Sequence, residues 1–220
     1  MPKVSIALGK PQRELGIDEA GRGPVLGPMV LAGVVVPKSK RGILKKWGVS
    51  DSKKFGSHAK GKKHRAELAD RIERKFVCHI VVIPPHTVDL HVRTGSLNVL
   101  EQKTALLIME KLPADRVVLD GRNVFRPIAD ERIFAVDKAD QTHLCVAAAS
   151  ILAKHVRDRE FECLCATYKK EYGDIKGGGY ANPATLDFVR WHVKYKGKLP
   201  AFYRKSFRWK ALSRLCGGTS

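Results

Sequence analysis

The sequence predicts an α/β fold in which helices cover a mixed β-sheet, and three observations carry that prediction. Two short strand-like runs come first, separated by a glycine-rich turn. Strands then alternate with helices toward the C-terminus, the pattern of a layered α/β domain. The second strand, Met29 to Val36, is apolar at consecutive positions, so it should be buried on both faces.

Element by element, residues 13–18 and 29–36 read as strands, being short, apolar or β-branched and bounded by turn signals. Gly33 inside the second marks a close approach by a neighbouring element. Residues 57–75 read as a helix, and 76–83, FVCHIVVI, as a strand stopped by Pro84-Pro85. Ser96 is the expected N-cap of a helix through Leu112, with Leu97, Leu100, Ala105, Leu107, Ile108 and Leu112 on its apolar side. RVVLDG (116–121) is a buried strand entering a turn, and RIFAVDKAD (132–140) a strand ending near Val136. A long helix follows over about 142–171. A shorter one spans 183–193, with Asn182 as N-cap and Pro183 at its first position. There is no internal repeat and no low-complexity linker.

With 44% hydrophobic and 29% charged residues in 220, the chain is a globular protein large enough for a full core. No run approaches the roughly 20 apolar residues of a membrane helix, and MPKVSIALGK is too short in apolar residues for a signal peptide, so a cytoplasmic protein with no membrane partner is expected. Five cysteines without a C-x-x-C pair point to reduced thiols rather than to a disulfide framework or a zinc site.

Charge is the strongest global signal. Forty-one Lys and Arg against 22 Asp and Glu give +19, a field that attracts polyanions. The cations concentrate in 38–46, 53–65 and 194–210. The last block also holds Tyr195, Phe202, Tyr203, Phe207 and Trp209. Aromatic rings among cations stack on bases or sugars, or else they are core behind a solvated charged face; three blocks together favour a nucleic acid.

Against that background the acids stand out, because they fall where strands end: Asp18-Glu19, Asp120, and Asp137 or Asp140. Open α/β sheets build their sites there. Adjacent residues in a strand point to opposite faces, so for Asp18 and Glu19 to serve one site the chain must turn, or Glu19 must offer its backbone carbonyl. If the strands bearing Asp18 and Asp120 are neighbours, their carboxylates crowd together and need protons or cations. Hard oxygen donors without histidine select Mg²⁺ or Mn²⁺ over Zn²⁺, and two such ions about 3.5–4 Å apart handle in-line displacement at phosphorus. Each acid also has a plain alternative: exposed turn acids, a D-G turn at Asp120-Gly121, a helix cap at Asp140. Acids at three strand ends of so basic a chain favour the metal.

The glycines are not a dinucleotide fingerprint. Gly21-x-Gly23-x-x-x-Gly27 is one residue too long and Pro24 interrupts the helix start that motif needs. No Walker motif or Ser-His-Asp arrangement is present either.

DEAGRGPVLGP (18–28), DSKK (51–54), LDG (119–121), KADQ with AAASILAKHVRDRE (138–160) and GGGY (177–180) together resemble ribonuclease HII, the type 2 ribonuclease H family. The blocks stand in family order across about residues 13–190. The resemblance implies a ribonuclease H-like catalytic domain over 1–176 and a helical, basic C-terminal extension over 177–220 packed on it. It implies hydrolysis of the RNA strand of RNA–DNA hybrids, and cleavage 5′ of single ribonucleotides in duplex DNA, with a two-metal Mg²⁺ or Mn²⁺ site leaving 3′-hydroxyl and 5′-phosphate ends. By position, Asp18, Glu19, Asp120 and Asp140 match the four metal-binding catalytic acids; Asp140 is selected over Asp137 and Asp158 by the KAD block, and Asp158 is left to ion pairs with Lys154 or the flanking arginines.

The same resemblance gives Gly21 and Gly23 the sugar 2′-hydroxyl, Arg22 the adjacent phosphate, and Tyr180 the sugar at the RNA–DNA junction. Lys53, Ser150 and Lys154 match phosphate contacts. Three successive glycines before Tyr180 are a departure that would loosen its placement. There is no obvious sliding-clamp peptide, and a monomer is expected. Two other readings remain: a nuclease of similar fold that needs no 2′-hydroxyl, and a noncatalytic nucleic-acid-binding protein.

Overall fold

The computed structural model describes residues 12–49, 59–207 and 209–212. Five strands, β1 (Arg13–Ala20), β2 (Met29–Pro37), β3 (Val77–Ile83), β4 (Arg116–Asp120) and β5 (Ile133–Val136), form one sheet in the order β3-β2-β1-β4-β5. β2 runs antiparallel to β1 and β3, whereas β1, β4 and β5 are parallel. The sheet is therefore mixed, and the C-terminal ends of β1 and β4 lie side by side.

The helices are α1 (Arg41–Lys46), α2 (Ala59–Lys75), α3 (Pro85–Arg93), α4 (Leu97–Lys111), α5 (Arg122–Phe125), α6 (Ala139–Thr142), α7 (Leu144–Ala166), α8 (Lys169–Tyr172) and α9 (Pro183–Lys196). α7 and α2 cover one face of the sheet, where Val30, Ala32 and Val34 meet Ala147, Ala148, Ile151 and Leu152. The alanines keep α7 thin on this side. Where it crosses β1, a Cβ on Gly16 would overlap the backbone of Cys145. α4 covers the other face, setting Ala105, Ile108 and Met109 against Leu15, Ile17 and Leu31. Fully burying each such leucine or isoleucine contributes about 1.5–3 kcal/mol. A third cluster joins Leu26, in the loop between β1 and β2, with Phe161, Phe188, Phe202 and Tyr203.

β2 is buried along its length except at Pro37, as its unbroken apolar run requires, and a Cβ on Gly33 would strike Ile108 of α4. Other expectations fail for local reasons. β1 does not turn at Asp18; it continues through Ala20, with Glu19 opposite Leu31. The long helix over 142–171 is three pieces, because His143 is extended and the Thr167 hydroxyl takes the Leu164 carbonyl just past the end of α7. β3 does stop at Ile83 before Pro84-Pro85, but Pro85 also opens α3, since proline's missing N–H is harmless at a first helical position. Ser96 precedes α4, but its hydroxyl bonds to Thr94 and His91 rather than capping the helix. Leu107 on the expected apolar side is 41% exposed, while Glu101 is 2% exposed. Asn182 does cap α9, accepting from the Thr185 N–H at 3.0 Å.

The aromatic residues of the basic C-terminal block are mostly core: Phe202 and Tyr203 are buried and Phe207 packs against them, leaving Tyr195 exposed. Burial raises the Cys78, Cys145 and Cys165 thiols to about 12, which suits inert reduced cysteines; Cys216 lies outside the described residues. Among the described residues no helix is long and apolar enough to cross a membrane.

Candidate active site

A cleft of about 1230 Å³ opens at the C-terminal ends of β1 and β4, and Asp18, Glu19, Asp120 and Asp140 all line it. Parallel pairing of β1 with β4 brings the first three together. Asp18 and Asp120 extend the rows of Gly16 and Val118, which face α7; Glu19 extends the row of Leu15 and Ile17, which faces α4. Because β1 ends one residue later, both side chains still reach the cleft, and their carboxyl groups are hydrogen-bonded to each other. The Glu19 N–H donates to Asp18 Oδ1 at 2.8 Å.

Asp140 arrives by a different route. It is buried in the first turn of α6, and the preceding Lys138, at φ 56°, is the one non-glycine in the left-handed region among the described residues. That strained turn is anchored by Asp120, whose Oδ1 accepts from the Ala139 N–H at 3.1 Å. Asp137 points elsewhere and accepts from the Arg122 N–H. Asp158 pairs with Arg65 at 3.2 Å and Arg157 at 3.4 Å.

Burial is the main reason the Asp18 carboxyl is held well above the usual carboxylate range, followed by the charge of Glu19; a hydrogen bond from Ser150 pulls the other way. Glu19 is raised by burial too, and by Asp120, with Arg22 opposing. The cleft floor thus gathers more negative charge than the chain neutralises. Among the described residues no three acidic, histidine or cysteine side chains are already drawn together as a ligand cluster. The donor set is nonetheless all hard oxygen, the chemistry of Mg²⁺ and Mn²⁺, and its crowding is what a divalent cation would relieve.

The loop after β1 forms one wall. Gly21 has φ 87°, and a Cβ there would collide with the Pro28 carbonyl. Gly23 is different: its φ is ordinary and the nearest atom to an added Cβ is Tyr180 Cε1 at 3.9 Å. Its missing side chain leaves a gap between the loop and the Tyr180 ring, which is 50% exposed. Tyr180 follows a 3-10 turn, Gly177–Gly179, whose glycines all have positive φ. That turn is fixed rather than loose, since the Gly179 carbonyl accepts from the Val25 and Leu26 N–H groups at 2.8 and 3.1 Å.

Sequence assigned Arg22, Ser150 and Lys154 to phosphate. The Arg22 guanidinium instead turns to α4, hydrogen-bonding Asn98 Oδ1 at 2.8 Å and pairing with buried Glu101, which explains why an acid lies inside that helix. Ser150 holds Asp18. Lys154 does line the cleft; partial loss of water, then the nearby Arg65, lower its ammonium below the ordinary range. Lys53 lies outside the described residues.

Two arginines escaped the sequence reading. Arg157 donates to the Gly178 carbonyl at 2.7 Å and the Leu26 carbonyl at 3.3 Å. Arg204, 0% exposed, donates to the carbonyls of Gly21, Arg22 and Gly27. In sequence it is one more cation of a basic block, and nothing local marks it.

Comparison with known proteins bears on this cleft. The family model described as Ribonuclease HII matches residues 15–210. Ribonuclease HII of Methanocorpusculum labreanum is 36% identical over 203 residues, covering 88% of this chain and 90% of that one, and the Pyrobaculum arsenaticum protein is 39% identical over 203 residues, covering 84% and 96%. Among solved structures, ribonuclease H2 of Pyrococcus horikoshii superposes with TM-score 0.76 at 27% identity, covering 92% and 96%; ribonuclease HII of Archaeoglobus fulgidus, solved with PCNA, gives 0.72 at 31%, covering 89% and 95%. Bst ribonuclease HIII in complex with Mn²⁺ shares the fold, with TM-score 0.76 at 22% identity over 92% of this chain and 70% of that one. The acids at the ends of β1 and β4 therefore sit in a chain that belongs to the ribonuclease HII family, hydrolases acting on RNA in RNA–DNA hybrids.

Proposed function

We propose that the chain, beyond cutting the RNA strand of hybrids, nicks duplex DNA on the 5′ side of a single embedded ribonucleotide, leaving 3′-hydroxyl and 5′-phosphate ends. The observation that carries the reading is the side-chain-free gap between Gly23 and Tyr180, opening beside the crowded carboxylates. On this reading the bare backbone at Gly23 lets one sugar come close beside Tyr180 without a run of RNA on either side.

Asp18, Glu19, Asp120 and Asp140 would hold the divalent ions. When bound, two such ions supply an activated water and neutralise charge on the departing oxygen. Ser150 orients the Asp18 carboxylate through its hydroxyl. The Arg22 and Gly23 N–H groups would meet the 2′-hydroxyl or its phosphate, because the Arg22 side chain is committed to Glu101. Tyr180 offers its ring to the sugar and its hydroxyl to the phosphate. Lys154 and Arg65 set positive charge along the approach and draw the duplex in. We read the protein as acting as a monomer, with residues 177–220 as an extension of the catalytic unit 1–176.

The test is a duplex DNA carrying one ribonucleotide, incubated with Mg²⁺, Mn²⁺ or EDTA. A metal-dependent nick 5′ of the ribonucleotide, with an all-DNA duplex left intact, is the expected result. Cleavage of the all-DNA duplex would favour a nuclease indifferent to the sugar. No metal-dependent nick, with binding unchanged by Asp120→Asn, would leave a binding protein.

A further inference from the structure

The segment 202–207 runs alongside the sugar-testing loop. The Gly27 N–H donates to the Phe202 carbonyl at 2.9 Å and the Arg204 N–H to the Val25 carbonyl at 2.8 Å, with Leu26 and Tyr203 bridged between them. From this seam the Arg204 side chain reaches back under the loop. Its Nη2 donates to the Gly21 carbonyl at 2.7 Å, Nη1 to the Arg22 carbonyl at 3.1 Å, and Nε to the Gly27 carbonyl at 2.9 Å.

Those contacts fix more than position. A trans peptide is planar, with its C=O and N–H on opposite sides. With the Gly21 and Arg22 carbonyls held underneath, the N–H groups of the same two peptide units, those of Arg22 and Gly23, face the other way. Neither meets an acceptor among the described residues, and both residues line the cleft. We propose that Arg204 is a positioning residue that aims the Arg22 and Gly23 N–H groups at the substrate, so that recognition of the ribose depends on the C-terminal segment.

The planar guanidinium suits the task, because its donors leave in fixed directions and reach separate carbonyls at once; a lysine ammonium on a flexible stem does not. Neutral carbonyls take the place that a carboxylate would fill at a buried cation. The acid nearest in charge, Asp89, accepts from the Ser206 N–H at 2.6 Å. Burial, then the neighbouring Arg157, lower the Arg204 guanidinium to about 9. A charge so poorly solvated is kept in place by its hydrogen bonds.

The proposal rests on the reading that the loop tests a sugar, and the experiment separates the two. Arg204→Lys and Arg204→Gln are made in the full chain, with Phe207→Ala as a milder variant because the Phe207 ring lies 5.2 Å from the guanidinium. Amide hydrogen exchange reads the loop without catalysis. Exchange at Val25, Leu26 and Gly27 should quicken about tenfold or more in Arg204→Lys while the sheet is unchanged. Nicking of the single-ribonucleotide duplex should fall about 10–100-fold in kcat/KM, with Kd for an all-DNA duplex in EDTA within about twofold of wild type. Full activity and unchanged exchange with lysine, or equal losses on both duplexes, overturn the proposal. If wild type nicks nothing, the sugar-testing reading fails and exchange alone decides whether Arg204 holds the loop. If neither Arg204 variant folds, Phe207→Ala decides, with the same shifts expected in smaller measure and their absence counting against the proposal.

Discussion

On the floor of the cleft the carboxyl groups of Asp18, Glu19 and Asp120 crowd one another, whereas along its glycine-rich wall the buried guanidiniums of Arg157 and Arg204 crowd each other. Each place concentrates one sign of charge away from water, which opposes folding. Relief comes from different sources. The arginines are held from within, chiefly by carbonyls of the loop and the 177–179 turn, with Arg157 Nε left without a partner among the described residues. The acids take hydrogen bonds from Ser150 and the Glu19 and Ala139 N–H groups, and on the reading proposed above a cation from outside relieves the charge that remains. The difference separates a part built to stay fixed from a part built to receive something.

The largest expected effect breaks the floor. Asp120→Asn should lower cleavage by about a thousandfold or more in a gel assay while leaving the duplex bound. The turn before Asp140 should hold, because the asparagine Oδ1 still accepts from the Ala139 N–H; an unchanged rate would remove Asp120 from the metal set.

The two glycines sharpen the contrast within the wall. Gly21→Ala forces a methyl group into a positive-φ position and against the Pro28 carbonyl, so thermal unfolding should show a loss of about 1–3 kcal/mol. Gly23→Ala brings its methyl only to ordinary contact with Tyr180, 3.9 Å from Cε1, and should leave stability within about 0.5 kcal/mol, yet nicking beside a ribonucleotide should fall about tenfold or more. Equal stability losses in both would show that Gly23 serves the fold rather than the substrate.

A smaller effect, opposite in sign, tests the claim of unrelieved charge. Asp18 and Glu19 hold protons more tightly folded than unfolded. In EDTA their ionisation should therefore lower stability as pH rises from about 4 toward their folded values. Asp18→Asn removes much of that slope, so the metal-free variant should be more stable than wild type at pH 7, on the order of 1 kcal/mol, and Mg²⁺ should raise the Tm of wild type more than that of the variant. The smallest effect is at the outer face of α4: Leu107→Lys should change stability by no more than about 0.5 kcal/mol.

The floor was legible because its signals are local. Runs such as 29–36 show which strands are buried, and acids at strand ends in a basic chain show where charge is gathered. The start of α3 was less so, since the prolines that stop β3 at Ile83 also open a helix at Pro85, whereas the Asn182-Pro183 start of α9 is plain in the sequence. α4 misled because Glu101 is buried by Arg22, 79 positions away, a pairing that no helical period records. Arg204 was the least legible. Its partners are backbone carbonyls 177 to 183 positions earlier, and any residue type offers a carbonyl.

The crossing of α7 over β1 at Gly16 has a mechanical consequence for the chemistry. From Gly16 to Asp18 the strand advances about 6.7 Å, and from Cys145 to Ser150 the helix advances about 7.5 Å, so the two run nearly level from a point of backbone contact to a point of hydrogen bonding. The seam at Gly16 is in effect a caliper, and the Asp18–Ser150 gap is what it sets. A bulkier residue at that seam would spread the jaws at the far end, detuning the carboxylate without altering a single group that faces the cleft.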